Sequence, residues 1–246
     1  MRDWTGKRYW LVGASEGLGL ALARKISGAG AEVILSARSA DRLTEAVAQM
    51  PGRATALPVD VADSASVRAA AASLGDIDGV IFLAGVYWPM RAQDWNADQV
   101  EAMCDVNLTG CARVIGAALP AMVARDRGHV VITGSLSGFR GLPGAIGYGA
   151  SKAGTMSLAE SLYCDLRGTG VTVQLANPGF IKTRLTEKND FHMPFLMEPE
   201  EAARLMFEHL CTDNFNISFP LVFSWVFRLS QFLPDWAYYR LFAPKK

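Results

Sequence analysis

A single-domain α/β fold built on a doubly wound parallel sheet is predicted for this chain by three observations. Short apolar runs rich in β-branched residues alternate with longer alanine-rich segments of helical character, the pattern of a βα repeat. Those runs are apolar throughout rather than alternating, as strands covered on both faces require. The 246 residues, half of them hydrophobic, suffice for one large core and contain no repeat or low-complexity linker. Right-handed βαβ crossovers then give a Rossmann-type sheet with helices on both faces, and ligands are expected at the carboxyl ends of its strands.

The first strand is expected over Arg8 to Val12. It runs into Gly13-Ala-Ser15-Glu16-Gly17-Leu18-Gly19 and a helix from Leu18 to Ala29. Glycines there let backbone amides and the helix N-terminus approach a pyrophosphate, where a side chain would hold the backbone off. The spacing G-x-x-x-G-x-G is neither G-x-G-x-x-G nor a Walker A motif. The second strand, Glu32 to Ala37, ends in Ser36-Ala37-Arg38, with Arg38 nineteen residues beyond Gly19. An NAD-binding unit places a ribose-binding acid in this region. A guanidinium instead grips a 2′-phosphate bidentately, so the expected cofactor is NADP rather than NAD. Glu16 argues mildly the other way, unless it faces solvent or pairs with Arg38.

The third strand, Thr55 to Val59, delivers Asp60 and Val61 to the adenine end, although Asp60 is equally suited to a helix N-cap or a turn. The fourth, Gly79 to Leu83, leads to Ala84-Gly85. The fifth, His129 to Thr133, leads to Ser135, and a Gly141 to Gly144 loop precedes a helix containing Tyr148. The sixth, Val171 to Leu175, leads to Asn177-Pro178-Gly179, with Ile181 and Thr183 beyond, and Ile217 to Phe219 reads as the last strand.

Tyr148-Gly-Ala-Ser-Lys152, with Ser135 thirteen residues upstream, brings an acid, a cation and a hydroxyl within reach of one carbonyl. In a helix, the i,i+4 spacing puts Lys152 on the face of Tyr148, where its ammonium stabilises a tyrosinate. A tyrosine titrates near about 10, so bringing it to neutrality takes about 4 kcal/mol from surrounding charge, to which a cationic cofactor ring would contribute. Taken singly, Tyr148, Lys152, Ser135 and Asn107 each have an ordinary structural role; their order and spacing on a βα framework favour a site. Ser137 competes with Ser135, and the thirteen-residue offset selects Ser135.

Together, Gly13/Gly17/Gly19, Asp60, Asn107, Ser135, Tyr148/Lys152 and Asn177-Pro178-Gly179 resemble the short-chain dehydrogenase/reductase family over roughly residues 5 to 220. The resemblance implies Tyr148 as general acid/base, Lys152 on the nicotinamide ribose and lowering the tyrosine's pKa, and Ser135 on the substrate oxygen. It implies that Asn107 orders a water in the proton relay, and that the Thr183 hydroxyl helps hold the carboxamide. It also implies a homodimer or homotetramer formed through the helices carrying Asn107 and Tyr148. Two departures stand out: Val12 precedes the first motif glycine where the family usually has Thr, and Phe82-Leu83-Ala84-Gly85 replaces Asn-x-Ala-Gly. Apolar packing must replace the lost bracing hydrogen bonds or leave those loops looser.

Residues 1 to 220 are thus expected to form the nucleotide-binding catalytic domain, with Arg184 to Met197 as a substrate lid. Leu185, Phe191, Met193, Pro194, Phe195, Leu196 and Met197 in that lid favour a hydrophobic carbonyl or alcohol substrate, unless they pack on the core. The apolar tail, 221 to 246, has one polar stripe, Ser224, Arg228 and Gln231, at helical spacing. With four basic residues, one acid and Trp225, Trp236, Tyr238 and Tyr239, it suits a membrane surface, an oligomer interface or a cover over the substrate pocket. Equal numbers of acidic and basic residues, 24 each, offer no footprint for nucleic acid. Cysteines at 104, 111, 164 and 211 and histidines at 129, 192 and 209 have no metal-ligand spacing. The N-terminus lacks a signal peptide's apolar run, so the expected location is the cytoplasm, with the membrane periphery as the alternative. The competing functional reading is an NADP-binding, membrane-associated or oligomeric module whose dehydrogenase chemistry is vestigial.

Overall fold

The computed structural model describes residues 2–243. Seven parallel strands form one sheet in the order β3-β2-β1-β4-β5-β6-β7. They are β1 Arg8–Val12, β2 Glu32–Ser36, β3 Ala54–Ala56, β4 Gly79–Phe82, β5 Gly128–Thr133, β6 Val171–Pro178 and β7 Asn216–Phe219. The chain leaves β1 toward β2 and β3, then crosses back to lay β4 on the other side of β1. This reversal of winding opens a crevice at the carboxyl ends of β1 and β4.

Alternation along the strands divides the core into two layers. Tyr9 and Leu11 of β1, with Val33, Leu35 and Ile81, pack beneath helices α1 (Gly17–Gly28), α2 (Ala40–Val47) and α7 (Pro199–Leu210). Trp10 and Val12, with Ile34, Val80 and Phe82, pack on the other face beneath α3 (Ser64–Leu74), α5 (Gly110–Ala124) and α6 (Ile146–Leu166). Helix α4 (Ala97–Cys104) continues into α5 through one π-helical turn, Asp105–Thr109, which contains Asn107. The continuous stretch Ala97–Ala124 is, among the described residues, the one helix long and apolar enough to cross a membrane. Val114, Ile115, Ala118 and Met122 on its inner face belong to the core.

Strands β2, β4, β5 and β7 differ from the sequence expectation by one residue at an end, and β3 and β6 by three at their carboxyl ends. β3 ends at Ala56 rather than Val59, although Leu57 and Val59 still donate backbone hydrogen bonds to Leu35 and Ala37 (2.9 and 3.0 Å). β6 extends to Pro178 because Leu175 to Pro178 pairs with Asn216 to Phe219. At the two departures the backbone continues the sheet ladder and the side chains pack in the core. Leu83 donates to the Val12 carbonyl at 2.7 Å, Gly13 donates to Ser36 at 2.7 Å, and the Val12 and Leu83 side chains pack into the core layers.

The tail forms two further helices, α8 (Leu221–Ser230) and α9 (Asp235–Phe242), while Lys245 and Lys246 lie outside the described residues. Phe223 and Phe227 of α8 point toward the carboxyl end of the sheet, where they cover part of a cavity.

Candidate active site

The turn after β1 is built for close backbone approach. Gly13 has φ +93°, and a Cβ there would lie 2.4 Å from the Ala84 nitrogen; a Cβ on Gly19 would lie 2.1 Å from the Gly13 carbonyl oxygen. Only glycine permits strand, turn and α1 to meet in this way. The turn forms one wall of a cleft of about 320 Å³. Its lining contains Gly13, Ser15, Glu16, Gly17, Leu18, Gly19, Arg38, Asp60, Val61, Ala84, Gly85, Tyr148, Lys152, Pro178, Gly179, Ile181 and Thr183. Every residue assigned from sequence to the cofactor is therefore brought together except Asn107.

Asn107 is fully buried behind Gly85. Its Nδ2 donates to the Val86 carbonyl and to Ser151 Oγ, both at 3.0 Å, and its Oδ1 accepts from the Val86 amide at 2.8 Å. The side chain is thus used up in fastening the loop after β4 to α6. Ser36 is likewise structural: its hydroxyl accepts from Trp10 Nε1 at 2.8 Å and donates to the Leu57 carbonyl at 2.6 Å. Asp60 lines the cleft while its Oδ1 accepts from the Ala62 amide at 3.0 Å, so the turn role and the pocket position coexist.

Of the two arrangements left open for Glu16, pairing with Arg38 is not made. Glu16 accepts instead from Arg184 Nε at 2.8 Å and from Arg42 Nη1 at 3.5 Å. Arg184 opens the lid segment and reaches over the cleft, whereas Arg38 is exposed and has no ion-pair partner among the described residues. Sequence reading missed Arg42, which also lines the cleft. Arg42 stands in the first turn of α2, whose N-terminus follows Arg38 and Ser39, and no signal in the sequence turns its side chain to the cleft.

A second cavity of about 650 Å³ adjoins the cleft. Tyr148, in the first turn of α6, lines both. Lys152 belongs to the cleft and Ser135 to the cavity. Ser135 Oγ lies 2.9 Å from Ser137 Oγ and accepts from the Ser137 amide at 3.2 Å, so the competing serine supports the first. Tyr87 packs edge-on against Tyr148 at 4.9 Å between centroids and is held by the lid: it donates to Asn189 Oδ1 at 3.0 Å, and its carbonyl accepts from Lys188 Nζ at 2.7 Å. Sequence carried no signal for Tyr87 or Lys188. The cavity walls are mainly apolar, with Met90, Leu142, Phe180, Phe191, Phe223 and Phe227. Of the lid's apolar residues, Leu185 and Phe191 face the cavity, Met197 is buried in the core, and Phe195 and Leu196 are exposed.

The tyrosinate expected from the spacing is not produced by the protein's own groups. Burial pushes Tyr148 up to about 12, with the Ser135 hydroxyl opposing and Tyr87 adding to the rise. Lys152 Nζ stands 5.9 Å from the Tyr148 ring centroid and donates to the Thr133 carbonyl at 2.8 Å. The same burial brings Lys152 down to about 8. Thr133 Oγ1, at the floor of the cleft, is buried without a partner.

The short chain dehydrogenase family model matches residues 7–193, which is most of the chain. The chain belongs to the short-chain dehydrogenase family. Similar proteins of this family include an uncharacterised oxidoreductase of Myxococcus xanthus, 40% identical over 233 residues and covering 92% of each chain. Among solved structures, a Burkholderia phymatum short-chain dehydrogenase/reductase in complex with NAD shares the fold, with a TM-score of 0.85 and 24% identity over 94% of each chain. The closed form of a serine dehydrogenase complexed with NADP+ aligns with a TM-score of 0.77 and 25% identity over 86% of this chain and 92% of the other. The protein is accordingly an oxidoreductase of the short-chain dehydrogenase family, whose members use NAD or NADP.

Proposed function

We propose that the protein transfers a hydride between NADP and the carbonyl or secondary alcohol of a hydrophobic small molecule, with Tyr148 as general acid/base. The observation that carries this reading is the position of Tyr148 on the wall shared by the cofactor cleft and the apolar cavity, with Lys152 on one side and Ser135 on the other.

The residues present fit a phosphorylated dinucleotide. A turn that a Cβ would fill meets the N-terminus of α1, and the unpartnered Thr133 Oγ1 faces the same cleft. Arg38 supplies a guanidinium at the end of β2, while Arg184 and Arg42 neutralise Glu16, so that acid no longer opposes a 2′-phosphate. Bound nicotinamide supplies or accepts the hydride. In reduction, Tyr148 gives its phenolic proton to the substrate oxygen as the C=O π bond is lost, and the Ser135 hydroxyl donates a hydrogen bond to the developing charge. Lys152 anchors the ribose side, and Asn107 acts as a positioning residue that fixes the Val86 loop against α6. Phe180, Phe191 and Phe223 exclude water around the reacting carbonyl. Association through the outer faces of α4, α5 and α6 into a dimer or tetramer completes the reading.

Tyr148→Phe keeps the ring and its packing on Tyr87 while removing the proton. It is expected to lower NADPH-dependent turnover of apolar ketones by at least about a hundredfold with nucleotide affinity unchanged. Full turnover in that variant would remove Tyr148 from the role. Wild-type protein that binds nucleotide but turns over no carbonyl compound would favour a vestigial nucleotide-binding module.

A further inference from the structure

Helix α8 turns Ser224, Arg228 and Ser230 toward the body together with Phe223 and Phe227, and leaves Val222, Trp225, Val226 and Leu229 exposed; in α9 the buried side chain is Tyr238. In α8, Ser224 is fully buried, Arg228 donates to Asn216 Oδ1 and Ser218 Oγ at 3.2 Å, and Gln231 of the same stripe donates to the Phe139 carbonyl at 3.2 Å. Arg140 reaches out from the body to accept the end of the helix. It donates to the carbonyls of Ser230 and Leu233, both at 2.8 Å, pairs with Asp235 at 2.5 Å, and stacks 3.9 Å over the Tyr238 ring. Polar contacts therefore fasten the tail in place and leave its apolar face in water. Phe232 is 84% exposed, Trp236 74% and Val222 71%, with Trp225, Leu229 and Leu241 beside them. So many large apolar side chains exposed within twenty residues mark an interaction surface.

We propose that this face docks on an anionic phospholipid bilayer. Three observations select lipid as the occupant. The chain is neutral overall, but residues 221 to 246 carry four basic residues and one acid in sequence; that acid, Asp235, is paired with Arg140, Arg228 is held by Asn216 and Ser218, and Arg240 of α9 is left exposed. Trp225, Trp236 and Tyr239 are exposed on the patch, the amphipathic rings that favour the headgroup boundary. An apolar path also runs inward from the exposed Phe195 to Phe223, 5.5 Å away, whose ring lines the substrate cavity. A second copy fits less well, since isologous pairing of two such faces would bring like charges together. The helices, of ten and eight residues, are too short to span and lie along the surface. The docked tail would place the cavity beside the acyl region, so that a membrane-dissolved carbonyl compound reaches Tyr148 without crossing water; this last step rests on the reductase reading, and docking does not.

Flotation of the full chain with vesicles tests docking without reading turnover. Wild type is expected to float with vesicles of equal parts phosphatidylcholine and phosphatidylglycerol, and less with phosphatidylcholine alone or at high salt. The double variant Leu229→Glu/Trp236→Glu, at two exposed positions, is expected to lose at least about tenfold in bound fraction while keeping its unfolding midpoint. Tyr148→Phe is expected to float as wild type does, which separates docking from the chemistry. Wild type remaining unbound, or the double variant floating equally well, would overturn the proposal. Sedimentation showing a wild-type dimer that the double variant dissolves, with no flotation of either, would overturn it in favour of a second copy.

Discussion

Lys152→Met should make the nucleotide-free protein more stable at pH 7 while abolishing turnover. Lys152 is 4% exposed, and burial lowers its pKa from 10.5 to about 8. At about 1.4 kcal/mol per pH unit, holding the ammonium in that environment costs ~3 kcal/mol wherever both folded and unfolded chains carry the proton. Methionine matches the length and apolar stem of lysine and removes this cost, but leaves the Thr133 carbonyl without its donor, a loss of about 1 kcal/mol. The net expectation at pH 7 is a gain of about 2 kcal/mol.

The sign changes with pH. Between about 8 and 10.5 the unfolded lysine keeps its proton and the folded one loses it, so wild type gains stability from this residue as pH rises. By pH 10.5 the cost has gone and the Thr133 hydrogen bond remains, so wild type should become the more stable by about 1 kcal/mol. Tyr9 and Tyr148 have raised pKa values and destabilise the fold as pH rises, but they are common to both chains and cancel in the difference; Cys111, also raised by burial, is pulled down by Lys152 and so cancels only in part. Urea unfolding followed by tryptophan fluorescence at pH 7 and pH 10 measures that difference directly. Parallel pH dependences in the two chains, or a Lys152→Met variant less stable at pH 7, would refute the assignment of a buried, costly ammonium.

Arg38→Ala removes the exposed, unpaired guanidinium at the end of β2 and is expected to weaken NADPH by about ten- to a hundredfold, leaving NADH nearly unchanged. Titration of nicotinamide fluorescence reads both constants, and equal losses for the two nucleotides would place the 2′-phosphate elsewhere. Glu16→Gln frees Arg42 and Arg184 and removes an anion from the cleft; both pairs are surface-exposed, so stability should change by less than about 0.5 kcal/mol while NADPH binds a few-fold more tightly. Weaker NADPH binding would instead mean that Arg184 serves mainly to tether the lid to the phosphate turn.

Much of the fold was legible because a parallel sheet covered on both faces writes itself as continuous apolar runs. Arg8 to Val12, and the fourth strand to within one residue of its end, needed nothing more. The edge strand was less legible: Leu57 and Val59 bond to β2 outside the regular ladder, and composition does not distinguish the two arrangements. The cofactor wall was legible since its glycines answer to backbone geometry, while Tyr87 and Lys188 enter through the three-dimensional approach of two loops far apart in sequence. In the tail, periodicity located the polar stripe of α8 but not its direction. The side facing the body was decided by Asn216, Ser218 and Phe139, which offer hydrogen-bond partners where a core would offer carbon.

Tyr148 and Lys152 illustrate the same division within the site. Their spacing puts them on one helix, but a spacing carries no information on solvent, and it is desolvation that sets both pKa values. Burial favours the neutral form of each, so it raises the tyrosine and lowers the lysine, against the tyrosinate–ammonium pair that the sequence implied. A neutral phenol is the form that donates a proton. Oxidation requires the phenolate, and the positive charge that would stabilise it must come from beyond Lys152, whose ammonium is turned toward the Thr133 carbonyl. A cationic nicotinamide would supply that charge in the oxidative direction alone. On the proposed reading, the proton affinity of Tyr148 would thus be tied to the redox state of the nucleotide in the cleft, and Tyr148, which lines both cleft and cavity, would be where hydride and proton transfer are coupled.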